Sequence, residues 1–211
     1  MAATNEKKAP VALRDRKKQR QRAAMIDAAG QLFRDRGFEG TRMEDIAIAA
    51  DVSVATVYNY FPTKQLILLD IVRANVQGSQ DSCAAVLNDP PADPVEAFMA
   101  LMKIEIGDIN GAPDKKLWRE LLASMIRDEE NRIEIEDLRG LFRANLRRLA
   151  KSLGQASALS PKADIEAIVD IAYAIFAYHF RQLVCLDQLT VQQSLRFIRR
   201  DLKALLVPHA V

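Results

Sequence analysis

Two cysteines, two histidines, eight glycines and eight prolines are few for a chain of 211 residues, and each shortage removes a class of chemistry. Cys83 and Cys185 stand alone, with neither CxxC nor metal-ligand spacing, so neither a disulfide framework nor a zinc site is expected. His179 and His209 are the whole imidazole supply, and His209 lies close to the C-terminus. Cys185 follows His179 by six positions, about 240° around a helix at ~100° per residue, so the two form no local dyad. No glycine-rich phosphate loop, metal cluster or nucleophile elbow is present. The expectation is a non-enzyme with no catalytic residue, no metal and no cofactor.

Long apolar runs are missing too. Ile171–Phe180, the longest uncharged run near the C-terminus, has ten residues, half of what a spanning helix needs. The first residues are charged and lack an apolar signal core or a lipidation motif. A cytoplasmic protein that does not use a membrane is expected.

What is present is helix-forming sequence. Hydrophobic residues make up 49% and charged residues 27%, the balance of a globular protein, and apolar residues recur at helical rather than strand spacing. The scarcity of glycine and proline turns each one into punctuation. Charge is divided unevenly: residues 1–64 carry twelve Lys/Arg against eight Asp/Glu, and residues 65–211 eighteen against twenty. Within residues 1–22 there are eight basic side chains and two acidic ones. Such a block can neutralise phosphates and release counterions; a solvated tail is the alternative.

Residues 1–12 read as a flexible basic arm. A first helix runs from about Leu13 to Arg36, with Ile26, Ala29, Gly30 and Phe33 inward, and Gly37 suits its left-handed stop, after which Phe38 can pack on Phe33. Thr41 and Glu44 read as a capping box opening a second helix to about Ala50. Ser53 caps a short third helix ending before Pro62, and Thr63 caps a fourth that runs to about Gln77. Asn88–Pro94 is a linker, and Asp93-Pro94-Val95-Glu96 opens helix 5, which ends near Asp108. Gly111-Ala112-Pro113 precedes helix 6, helix 7 spans about Asn131 to Leu153, Ser160-Pro161 opens helix 8 through Leu186, and Thr190 with Gln193 opens the last. An all-α chain of about nine helices results.

Residues 37–69 read GFEGTRMEDIAIAADVSVATVYNYFPTKQLILL. Two short helices meet at Asp51-Val52, with Ile46, Ala47, Ala50, Val52 and Val57 as a buried seam. Ser53, Ala55, Thr56, Tyr58, Asn59 and Tyr60 remain for a surface of small and hydrogen-bonding side chains that suits a major groove. The stretch resembles the DNA-binding signature of TetR-type (TetR/AcrR-like) repressors, carried by GF, GT, the DIA and VS segments and YNYFPTK.

That resemblance implies an N-terminal three-helix helix-turn-helix domain (13–62) and a C-terminal helical domain for ligand binding and dimerisation (63–211). It places Thr41 and Arg42 near phosphates. Ser53, Ala55, Thr56, Tyr58 and Tyr60 fall on or beside the recognition helix, Val54 and Asn59 at the sequence-reading positions, and Lys64 against a phosphate. Each role has a structural alternative: Thr41, Ser53 and Thr63 as caps, Tyr58 as packing under helix 1. Asp51 and Ala55 stand where glycine is frequent in such proteins, which bears on docking rather than on fold.

Helix 8 is apolar on more than one side, with Ile165, Ile168, Val169, Ala172, Ile175, Phe176, His179 and Leu183 on one stripe. Helix 9 repeats Val191, Leu195, Ile198, Leu202 and Leu205, a seam that wants a partner helix. The resemblance implies a four-helix homodimer interface built from these two helices, and a pocket among helices 5 to 8. Phe98, Met102, Trp118, Met125, Phe142, Tyr173, Phe176 and His179 are its candidate lining, ordinary core being the alternative for each. The implied function is a transcriptional regulator, a repressor released from an inverted-repeat operator on double-stranded DNA by a small apolar or amphipathic ligand. A helical dimer acting through protein contacts and an enzyme are the competing readings.

Overall fold

A computed structural model describes residues 8–107, 109, 111–127 and 129–209. Among them nine α-helices and one terminal 3-10 turn, Val207–His209, occur without a strand, so the all-α expectation holds. The chain divides into two compact units at Val72/Arg73.

The first unit holds α1 (Lys8–Arg36), α2 (Met43–Ala49), α3 (Val54–Tyr60) and the start of α4 (Lys64–Asn88). Gly37 takes φ +80° and ends α1 as its lack of a Cβ permits; the Phe38 ring then packs on Phe33 at 5.1 Å. Asp51 also sits at positive φ, 53°, the left-handed turn between α2 and α3 that Asp tolerates better than most residues. Met25, Ala29, Phe33, Ile46, Ala47, Val57, Phe61, Ile67 and Leu68 are buried, and an Arg22–Asp70 ion pair ties α1 to α4. Met25, rather than the half-buried Ile26, leads the inner stripe of α1.

Three boundaries of α1, α2 and α4 differ from the sequence reading. Helix α1 begins at Lys8, so residues 8–12 of the expected arm are helical; residues 1–7 lie outside the described residues. Arg42, not Thr41, is the N-cap of α2, and Asp45, not Glu44, accepts its backbone N–H at 2.9 Å. The Thr41 hydroxyl instead donates to the Gly37 carbonyl at 2.9 Å, finishing the α1 turn. Helix α4 passes through Gly78 to Asn88. A single glycine costs a helix about 1 kcal/mol, less than the burial of Cys83 and the packing of Val86 and Leu87 beyond it return.

The second unit contains the rest of α4 with α5 (Pro94–Ile106), α6 (Ala112–Arg127), α7 (Glu129–Gln155), α8 (Ile165–Cys185) and α9 (Val191–Leu206). Asp93 caps α5 by accepting from Glu96 N at 2.9 Å, with Pro94 in the first turn, and Thr190 and Gln193 form the reciprocal box of α9. Helix α8 opens four residues later than its proline suggests. Ser160 is tied into a turn by Ala163 N–H donating to its carbonyl at 2.9 Å, and Asp164 then caps the helix through Ala167 N. The buried Lys115 ammonium of α6 donates to the carbonyls of Leu186, Asp187 and Leu189 at 2.9, 3.1 and 2.6 Å. One side chain thereby satisfies the backbone oxygens left over where α8 stops. By length and composition α8 alone among the described helices could cross a membrane, yet one of its sides is the centre of this core.

The α9 seam finds its partner inside the chain. Ile198 and Leu202 have no exposed surface, and Val191, Leu195 and Leu205 pack half-buried on the same core. Ile198 and Leu202 are therefore spent within their own unit, while Val191, Leu195 and Leu205 keep part of their surface outward. The periodicity was a true sign of burial and said nothing about whose helix does the burying.

Candidate nucleic-acid interface

The two-helix segment is anchored from beneath. Ile46, Ala47 and Val57 are buried; Ser53 caps α3 by accepting from Thr56 N at 3.1 Å, and the Ser53 and Thr56 hydroxyls share a 2.8 Å hydrogen bond. What α3 then presents outward is Ser53, Ala55, Tyr58 and Asn59, all exposed, with Val54 and Thr56 half-buried beside them. Arg42 is exposed at the start of α2. Five of the ten expected contact residues thus share an accessible, hydrogen-bonding surface, and α1 adds exposed Arg16, Lys17, Lys18, Arg20 and Arg22.

Three of the other expected contacts are committed elsewhere. Thr41 is buried and its hydroxyl is spent on backbone. Tyr60 turns toward α1, its hydroxyl at 3.4 Å from both the Lys18 carbonyl and Gln21 Oε1, with the Lys18 ammonium over its ring. The Lys64 ammonium donates to the carbonyls of Phe38 and Thr41 at 2.7 and 2.9 Å and stands 4.6 Å from the Phe38 ring centroid. It staples α4 to the turn before α2, a role that its place in the sequence does not reveal. Tyr58, 47% exposed, is not packed away under α1.

The expected ligand residues of the second unit are brought together as an aromatic ladder. Phe142 lies 6.2 Å from Tyr173 and 4.7 Å from Phe176; Phe176 is 5.6 Å from Phe180, and Phe180 is 5.0 Å from Trp118. Phe98 and Met102 are fully buried in the same core. The Met125 side chain lies outside the described residues. His179 points away from the ladder: its Nε2 is 2.7 Å from Asp201 on α9, and Phe197 stacks on it. It is a satisfied core histidine. An open groove of about 390 Å³ lies between α5 and α9 instead, lined by Met99, Lys103, Gln192, Leu195, Arg196 and Arg199.

Two titratable groups near the ladder escaped the sequence reading. Burial pushes the Glu105 carboxyl up to about 7. Burial, and then the neighbouring Glu105 charge, push the Cys83 thiol up to about 11, so it stays protonated and unreactive. The available signal was an acid on the apolar stripe of α5, one turn beyond Leu101 and Met102.

Short helices α2 and α3 joined at a left-handed residue, with a polar outer face and a basic helix α1 beside them, define a helix-turn-helix DNA-binding protein. A sequence profile of "Bacterial regulatory proteins, tetR family" matches residues 25–71, the segment that contains this arrangement. The chain is 28% identical over 176 residues to the HTH-type transcriptional regulator BetI of Rhizobium meliloti (strain 1021), covering 83% of this chain and 78% of that protein. In fold it is similar to a protein from Mesorhizobium loti described as a TetR-family transcriptional regulator. The TM-score is 0.72 at 18% identity, covering 92% of this chain and 98% of that one. It is also similar to a protein from Saccharomonospora viridis described as a transcriptional regulator, in complex with choline. There the TM-score is 0.67 at 20% identity, with 88% and 95% covered. Residues 25–71 thus carry the DNA-binding segment of the tetR family of bacterial regulatory proteins, and the chain is similar to transcriptional regulators over most of its length.

Proposed function

We propose that the protein is a cytoplasmic homodimeric repressor that holds an inverted-repeat operator and lets go when a small molecule occupies its second unit. The observation that carries the reading is the division of labour on α2 and α3. Thr41, Tyr60 and Lys64 are used inward, while Arg42, Ser53, Ala55, Tyr58 and Asn59 are left outward. In this reading Arg42 and the α1 cations meet phosphates, Ser53 and Tyr58 set the docking register, and Val54 and Asn59 reach base edges.

Dimerisation is assigned to the outer faces of α8 and α9. Ile171 and Tyr178, seven residues apart on α8, are 48% and 52% exposed, and Phe197 on α9 is 40% exposed. Side chains of this size on two adjacent helices suit the centre of an interface. A second unit able to hold a ligand is supported by the choline complex of the Saccharomonospora viridis protein.

Unbiased selection of genomic fragments on the purified protein tests the reading. The expected product is an inverted repeat whose half-sites lie roughly 34–36 Å apart, or a multiple of that. Tyr178→Asp with Phe197→Asp should sediment as a folded monomer and lose tight binding. Recovery of no symmetric site, or a stable dimer in the double variant, refutes the corresponding half.

A further inference from the structure

The groove between α5 and α9 has an apolar floor and a cationic rim. Met99 is buried and Leu195 half-buried, and Lys103, Arg196 and Arg199 stand around them. Glu96, three residues before Met99 on α5, pairs with Arg199. Among the described residues neither Lys103 nor Arg196 has an ion pair. Two cations are thus unbalanced at this groove, although residues 65–211 as a whole carry eighteen basic and twenty acidic side chains. A local excess of this sign selects an acidic occupant. On α9 the groove is lined by Gln192, Leu195, Arg196 and Arg199, the i, i+3, i+4, i+7 stripe of one helical face. Phe197 stands about 150° around the helix from the middle of that stripe at ~100° per residue, so a dimer built on Phe197 leaves the groove open.

The complementary surface lies elsewhere in the same unit. Residues 128–137 read DEENRIEIED, six acids against one arginine. At the end of α6 Ile126 is 88% exposed, and in the first turns of α7 Ile133 is 56% exposed. Exposed apolar side chains scattered singly are ordinary, but Ile133 is flanked by charge. Glu129, Glu136 and Asp137 stand three or four positions from it, on its own face of α7, and all three are exposed. Arg132 and Arg139 pair with Glu129 and Glu136, but exposed pairs of this kind contribute little, and Asp137 has no ion pair among the described residues. An apolar side chain among carboxylates is the inverse of an apolar floor among cations. Both surfaces are accessible in the same fold, so they do not meet within one chain.

We propose that the α5–α9 groove receives the acidic start of α7 from a second copy of this chain. Ile133 then lies against Met99 and Leu195, with Glu129, Glu136 and Asp137 toward Lys103, Arg196 and Arg199. A groove that meets a different surface makes a heterologous contact, which links copies onward instead of pairing one patch with itself. The inference goes beyond operator and ligand: it makes the dimer the unit of a larger assembly. A groove of about 390 Å³ holds few side chains, so the contact belongs with the weak, transient ones, and its charges make it sensitive to salt. Adjacent sites on one DNA molecule supply the local concentration that such a contact needs.

The test is sedimentation velocity of the full-length protein without DNA, up to concentrations on the order of 10⁻⁴ M. At about 50 mM salt, a species larger than the one present at about 500 mM should grow with concentration. Lys103→Glu with Arg196→Glu should raise the concentration it requires by roughly tenfold or more, and so should Glu136→Lys with Asp137→Lys. Ile133→Ser should weaken it without changing any charge. An equimolar mixture of the two charge-reversed proteins should assemble again, because the acidic groove of the first then meets the basic α7 of the second. That recovery also shows both variants folded, as circular dichroism should. A single species at every concentration and salt overturns the proposal. So does assembly that ignores both reversals, or a mixture that stays as small as its components. Reversals that split the species present at high salt would place these residues inside the dimer interface and overturn a contact between dimers.

Discussion

The Lys64 ammonium has three protons, and two of them are already donated to the carbonyls of Phe38 and Thr41. Lys64→Ala should therefore destabilise the first unit by roughly 1–3 kcal/mol, visible as a lower urea midpoint. Arg42→Ala should leave that midpoint within about 0.5 kcal/mol while weakening all DNA sequences alike and lowering the salt slope by about one. An unshifted midpoint in Lys64→Ala would return that lysine to the phosphate role expected from its position. Glu105 makes the opposite kind of prediction. Its folded-state pKa is raised from 4.5 to about 7 by burial, so between those values the folded chain binds the extra proton. Stability should then fall as pH rises from about 4.5 to 7 and stay reduced above, by an amount on the order of 3 kcal/mol. Without ligand, Glu105→Gln should flatten that part of the pH–stability curve and raise the melting temperature at pH 8. A curve unchanged by the substitution would mean the carboxyl is not desolvated.

Helix stops and starts were readable wherever a local hydrogen bond decides them. Gly37, Asp51, Ser53, Asp93 and Thr190 do what their side chains, or lack of one, predispose them to do. Reading failed where tertiary contacts outvoted local preference. Gly78 looks like a stop, but its neighbours on α4 gain more from packing than the glycine loses. A Cβ at Gly78 would meet nothing within 4 Å, and the helix continues on both sides. Gly78→Ala should thus stabilise the protein by about 0.5–1 kcal/mol, measurable by thermal or urea denaturation; a loss of stability would show that the helix needs flexibility there. In α9, Leu202 has no exposed surface, so Leu202→Ala should cost roughly 2–5 kcal/mol through a cavity in the chain's own core. Equilibrium unfolding at two protein concentrations separates this from an interface effect, which would change with concentration.

At the scale of the whole molecule, one element belongs to both units: α4 begins at Lys64 in the first and ends at Asn88 in the second. If a ligand of the second unit weakens operator binding, a coupling of about 5- to 150-fold is expected, and saturating operator must weaken ligand binding by the same factor. Titrating the ligand with and without operator measures both; equal affinities would show that it is no effector. The class of the protein was determined by sequence alone, because a cap, a left-handed turn and a short run of small polar residues are local features. A few adjacent residues specify them. The sequence also determined most of the buried faces, since helical periodicity records burial directly, although Met25 rather than Ile26 lies innermost on α1. Only the tertiary structure decided what buries them. It turned the α9 seam inward, took Lys64 and Tyr60 for anchoring, drew His179 to Asp201, and desolvated Glu105. Those outcomes depend on which helix lies opposite, and a side chain's spacing along its own helix carries no record of its neighbour across the core.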